Sequence, residues 1–145
     1  MLRVFRELAG RFPSVELHGP ADPMALAAIE RDLGSPVPPA LRALLLETDG
    51  MDGNHMNVVW PAARILEANR EFRTFPDFRE LYMPFDTLMF FGDNGGGDQF
   101  AFVRTPRRDD EVFVWDHETD SRDCIAGSLE QYLSDALGSE GDWYR

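Results

Sequence analysis

Apolar residues recur at three- and four-residue steps in the first half of this chain and bunch into short runs in the second. Leu2, Phe5, Leu8 and Phe12 predict a short amphipathic helix stopped near Pro13. Asp22 before Pro23 is a helix entry, with a side-chain acceptor at the cap and proline in the first turn. Leu26, Ile29 and Leu33 make its stripe, and Gly34 supplies the left-handed stop. Pro36, Pro38 and Pro39 break the chain and open a helix carrying Leu41, Leu44, Leu45 and Leu46, which ends at Asp49-Gly50. Met51 to Asn57 reads as a polar loop, Val58 to Trp60 as a short strand, and Pro61 as the start of a helix with Ile65, Leu66, Asn69 and Phe72. No period holds from Arg73 to Asp86, which reads as irregular.

From Thr87 the pattern changes. Leu88 to Phe91 is a continuous apolar run closed by Gly92. Phe100 and Phe102 share one face of a second strand, with Gln99, Ala101 and Val103 on the other. Val112 to Trp115 is apolar on both faces, as a central strand would be. Asp123 to Ile125 predicts a short fourth strand. Ser128 and Gln131 then form a capping box ahead of a stripe of Leu129, Tyr132, Leu133 and Leu137. Helices, a strand meander and a closing helix predict a single α+β domain over 1–145. Its mainly antiparallel sheet would have about four to six strands, with a core of 21–137 and a tail at 138–145.

Composition adds a class to this outline. The hydrophobic fraction of 43%, with eleven phenylalanines and three tryptophans, is enough for a core and argues against disorder. Twenty-six acids oppose fourteen bases, a net charge of −12. The excess grows toward the C-terminus, where Asp109, Asp110, Glu111, Asp116, Glu118, Asp120 and Asp123 crowd together. Such a field repels phosphate backbones, which excludes direct nucleic-acid binding, and steers association with a basic partner. Every base is an arginine, so Schiff-base lysine chemistry and a P-loop lysine are excluded. Cys124 is the single cysteine and no apolar run approaches membrane-spanning length. Met1 to Phe5 lacks the core of a signal peptide. The expectation is a cytoplasmic protein in a reducing compartment, with no membrane association.

The order of motifs is itself informative. Ile29, Glu30, Leu33, Gly34, Val37, Pro38, Leu41, Leu45, Asp49 and Gly50 form one block, and Val59, Trp60, Pro61 and Ile65 a second. Phe91, Gly92, Asp93, Asn94, Gly95, Gly96, Gly97, Asp98, Gln99 and Phe100 form the signature, followed by Val112, Val114 and Trp115, and then Ser128, Leu129 and Leu133. In this order and spacing the chain resembles the SUKH superfamily of Smi/Knr-type domains, found as bacterial toxin-immunity proteins and as a fungal cell-wall regulator. Leu41 stands where the family often has an aromatic residue, and Asp49 where asparagine commonly precedes the glycine. The resemblance implies protein binding without a shared catalytic triad. The expected partner is a protein, such as a basic toxin domain of the nuclease kind; the alternative is a cellular scaffold or regulator with no toxin partner.

Candidate chemistry is sparse. The glycine-rich run can present Asp93, Asn94 and Asp98 to a partner, or it can simply turn the chain while these side chains bond their own backbone. Its spacing matches no EF-hand loop and lacks the closing glutamate, and it leads into a strand where a phosphate site needs a helix. Asp116, His117 and Cys124 suggest a cysteine nucleophile, but neighbours on a strand point to opposite faces, and a half-buried structural cysteine is the expectation. His18, His55 and His117 are too scattered to indicate a metal site. No catalytic residue, metal ligand or cofactor is therefore assigned. Trp60 and Trp115 are expected in the core. Asp116, Glu118, Asp120, Trp143 and Tyr144 join Asp93, Asn94 and Asp98 as candidate partner-binding residues.

Overall fold

A computed structural model of the protein describes residues 4–53, 56–138 and 143–144; His55 lies outside them, as do 139–142 and 145 of the expected tail. In chain order the elements are α1 (Val4–Ala9), β1 (Glu16–Leu17), α2 (Pro23–Leu33), α3 (Pro39–Glu47), β2 (Met51–Gly53), β3 (Met56–Val59), α4 (Ala62–Thr74) and α5 (Pro76–Leu81). They continue with β4 (Leu88–Asp93), β5 (Gln99–Val103), β6 (Val112–Trp115), β7 (Arg122–Ala126) and α6 (Leu129–Leu137). This is an α+β fold with two antiparallel sheets, ordered β1-β2-β3 and β4-β5-β6-β7, where the sequence suggested one.

Helix ends follow local chemistry. The Asp22 carboxylate accepts from the Met24 amide 2.9 Å away, and Gly34 takes φ 72° to let its amide reach Glu30 O. Asp49 does more than end α3. Its Oδ1 accepts from the Ala62 amide at 2.8 Å, capping α4 from thirteen residues upstream. Ser128 Oγ accepts from the Gln131 amide, but the Gln131 side chain turns forward to Asp135, so only half of the expected capping box forms.

The four-stranded sheet is packed on both faces, as the apolar runs of β4 and β6 require. One face carries Phe90 and Trp115 against Phe72 of α4 and Tyr82 and Phe85 of the segment after α5, with Phe78 of α5 stacked on Phe72 behind them. The other carries Phe91, Phe100 and Phe102 against Tyr132 of α6. The Tyr132 hydroxyl donates to Val58 O at 2.7 Å and so ties α6 to β3, while burial pushes its pKa well above the phenol range.

An edge strand leaves backbone groups unpaired, a standing risk of unwanted pairing. At β4 that edge is closed by α4. Asn69 Nδ2 donates to Phe90 O and its Oδ1 accepts from Phe90 N, both at 2.8 Å. Arg73 Nη2 donates to Leu88 O at 2.9 Å. The register shifts between Phe90 and Gly92, which turns Phe91 O outward to accept from the Trp60 amide at 2.7 Å. Gly92 permits that join: a Cβ there would lie 2.2 Å from Val58 O.

Three stretches differ from the sequence expectation. Met51 to Asn57 is not wholly a loop, because Met51, Gly53 and Met56 are buried and β2 pairs with β3 across residues 54 and 55. Within Arg73 to Asp86, α4 runs on to Thr74 and α5 follows. That helix has six residues and none buried, so it prints no stripe. Strand β4 continues through Gly92 to Asp93.

Candidate protein-binding surface

Strands β4 and β5 end at the glycine-rich turn, and its polar side chains are used inside the molecule. Asp93 is buried, accepting from Trp60 Nε1 at 2.7 Å and from the Gly95 amide at 2.8 Å, with the Arg64 guanidinium at 3.5 Å. Arg64 in turn lies over the Trp60 ring. Asn94 Oδ1 accepts from the amides of Gly96 and Asp98, which closes the turn. Asp98 is fully buried. Its Oδ1 is 2.8 Å from His117 Nδ1 and its Oδ2 accepts from the Tyr144 hydroxyl at 2.5 Å. Asn94 Nδ2 donates to the same hydroxyl at 2.8 Å. Gly97, at φ 110°, lets the His117 ring lie against the turn, since a Cβ there would sit 2.8 Å from it.

Trp143 and Tyr144 therefore dock on the domain instead of extending from it. Trp143 stacks near Phe100 with ring centres 6.0 Å apart, and Tyr144 meets Phe100 edge-on at 5.6 Å. Both pack on the buried core, half-exposed.

Strand β6 stops at Trp115, so Asp116 and His117 belong to a turn and do not diverge as strand neighbours would. Asp98, Asp116 and His117 bring ligand atoms within 4.8 Å of one another, a geometry a cation could use. The Asp98 oxygens, however, already serve His117 and Tyr144, so the group acts as a hydrogen-bond hub. Cys124 is exposed, not half-buried, and its Sγ lies 3.6 Å from Glu111 Oε2 and from Ala126 O, with no contact to His117 among the described residues. Partial desolvation and the Glu111 carboxylate raise its pKa, opposite to what a nucleophile needs. No nucleophile–base pair forms there.

Asp120 is likewise engaged. Burial works to raise its pKa, but hydrogen bonds from the Met83 amide (2.9 Å), Trp115 Nε1 (2.7 Å) and the Arg122 guanidinium (3.1 Å) prevail and hold it below the ordinary carboxylate value. The Asp109 carboxyl is held low by Arg107 and Arg104, and Arg104 also reaches Pro36 O at 2.8 Å. Of the eight candidates, Glu118 is the one fully at the surface and Asp116 is half-exposed.

The 116–120 turn is fastened to a surface the sequence did not mark. Tyr82 Oη donates to His117 O, and Arg122 donates to Met83 O at 2.7 Å and Pro84 O at 2.9 Å. Beside it Phe75, Leu81 and Met83 are 43%, 71% and 58% exposed. Next to Met83 opens a pocket of about 250 Å³ lined by Phe72, Phe78, Phe85, Met83, Pro84, Arg73, Arg79 and Asp86. The apolar density of 75–85 was visible in the sequence; that half of it faces outward was not.

The helix–proline–helix start, the Gly92–Asp98 turn and the α6 closure thus occur in one continuous fold, and the SMI1 / KNR4 family (SUKH-1) matches residues 20–135. The chain belongs to the SMI1 / KNR4 family. No curated protein matches it closely enough to count as a relative. Within this fold the polar residues of the glycine-rich turn, Asp93, Asn94 and Asp98, are held by hydrogen bonds inside the molecule. No helix among the described residues is long and apolar enough to cross a membrane.

Proposed function

We propose that this SMI1 / KNR4 domain is a non-catalytic immunity protein that binds a cognate toxin in the cytoplasm and blocks it. The observation carrying this reading is the junction of the 116–120 turn with the exposed 81–83 stretch, fixed by Tyr82, Asp120 and Arg122. It sets acidic side chains, Glu118 and Asp116, next to unburied apolar ones, the composition of a protein interface. With a net charge of −12, the partner is basic, as nuclease toxins acting on phosphate backbones are. Asp93, Asn94, Asp98, Trp143 and Tyr144 support that face from behind in this reading.

Co-expression with the toxin encoded beside its gene tests the proposal. Restored growth together with a stable purified complex supports it. Growth unrestored, or a gene with no toxin neighbour and a chain that co-purifies with a housekeeping assembly, turns the reading to a cellular scaffold or regulator.

A further inference from the structure

The four-stranded sheet has two edges, and the molecule treats them differently. At β4 the backbone is sealed by side chains of α4, with Asn69 on Phe90 and Arg73 on Leu88. The strand at the other end of the order, β7, pairs with β6 along one side. Along its other side no group from outside the strand, among the described residues, hydrogen-bonds to its backbone. Asp123 and Cys124 on it are exposed. A free edge presents a row of amides and carbonyls, and the ligand that satisfies such a row is another extended strand.

Charge decides which strand. Asp123 has no ion pair or hydrogen bond among the described residues. Its neighbour Arg122 is turned inward to Asp120, Met83 O and Pro84 O, and Arg108 is paired with Glu111, so neither offsets it. Beside β7 lies an open cleft of about 450 Å³ lined by Cys124, Ile125, Asp135, Trp143 and Tyr144. That lining holds a carboxylate and two aromatic rings and no base, and Asp135 accepts there from the neutral Gln131 amide. Arginine and lysine supply the matching shape, an apolar stem for the rings with a cation for the carboxylate. A second copy of the chain fits poorly, because it brings its own Asp123 and a net charge of −12 to the same edge.

We infer that β7 is the docking edge for a partner protein, which adds to the sheet an extended segment with arginine or lysine at alternate positions. The inference rests on the protein-binding reading and names how the contact is made. Backbone hydrogen bonds along 122–126 set the register, and alternation along the strand turns every second side chain toward the cleft. There a cation meets Asp135 against Trp143 and Tyr144. Asp116 and Glu118, on the turn that leads into β7, extend the acidic track.

The test titrates a capped heptapeptide of alternating valine and arginine into the full chain labelled with nitrogen-15. The peptide is expected to shift the amide signals of residues 122–126 saturably and to slow their hydrogen exchange. The same peptide with every backbone nitrogen methylated keeps its charge and cannot donate to a strand. It should bind about tenfold or more weakly, and so should the unmodified peptide to an Asp123→Arg, Asp135→Arg double variant. Equal binding of the methylated peptide means that charge alone attracts it, and overturns the inference, as do shifts confined elsewhere. Self-association of the free chain that protects the same amides overturns it too, because the edge is then an interface between copies. The toxin co-expression assay separates the two proposals. Rescue by the wild type and equally by the double variant removes this edge and leaves neutralisation standing; peptide binding without rescue removes neutralisation alone.

Discussion

The Tyr144 hydroxyl donates to Asp98 Oδ2 at 2.5 Å, joining the described end of the chain to a fully buried carboxylate forty-six residues earlier. With Asn94 donating to the same hydroxyl, the contact locks the glycine-rich turn to the C-terminus. Tyr144→Phe keeps the ring against Phe100 and removes only the oxygen. A hydrogen bond to a charged group contributes about 1.5–3 kcal/mol, so urea unfolding should show a loss of that order. Trp143 emission should also shift to the red as its packing loosens. Glu118→Gln, on the exposed turn, should leave stability within about 0.5 kcal/mol. A Tyr144→Phe variant as stable as the wild type would show that the aromatic contacts alone hold the end in place.

Asn69 offers a second test, on the sealing of the β4 edge. Its amide satisfies both backbone groups of Phe90, and a leucine or alanine there satisfies neither. Each orphaned buried group costs about 1–3 kcal/mol, so Asn69→Ala should lower stability by several kcal/mol. Hydrogen exchange should locate the damage: the Phe90 amide loses protection well before those of β5 and β6. Uniform loss across the sheet would mean that the edge is held by apolar packing.

Much of the fold was legible because it is written in local signals. Asp22, Gly34, Pro39 and Ser128 mark their helix ends by chemistry acting within three or four residues, and the runs at 88–91, 99–103 and 112–115 print the strands of the main sheet. What was lost depends on distant partners. β1 has two residues and acquires meaning only by pairing with Met51 and Asp52. The Asp93 and Asp98 carboxylates look displayed on a glycine turn until Trp60, His117 and Tyr144 are seen to fill them. The α5 surface was hidden for the opposite reason: exposed Phe75, Leu81 and Met83 resemble core residues in sequence.

Cys124 is exposed, yet its thiol should react slowly. Partial desolvation of the sulfur and the Glu111 carboxylate 3.6 Å away both disfavour the thiolate. Iodoacetamide alkylation followed by mass spectrometry should proceed more slowly than for an unstructured cysteine peptide at pH 7.5, with its pH midpoint displaced upward. Glu111→Gln removes the charge and should quicken the reaction. A rate equal to the peptide's would show that the thiol is not held against Glu111.

Asp120 carries the clearest pH signature. Its folded pKa lies below the ordinary carboxylate value because Met83, Trp115 and Arg122 all donate to it. A carboxyl depressed by folding stabilises the protein at pH values above its unfolded pKa of about 3.9, and that stabilisation is lost as pH falls through the folded value. Asp120 also sits at φ 60°, where asparagine is tolerated, so Asp120→Asn alters the charge with little backbone effect. The asparagine has one acceptor oxygen and cannot serve the Met83 amide and the Trp115 indole from opposite oxygens as the carboxylate does. The stability gap between wild type and Asp120→Asn, read from urea unfolding at a series of pH values, should be constant between pH 5 and 7 and narrow below about pH 4. A gap that stays constant into strong acid would place the cost of the substitution in geometry rather than in charge. In that case the joint between the 116–120 turn and the 81–83 stretch would hold without the carboxylate.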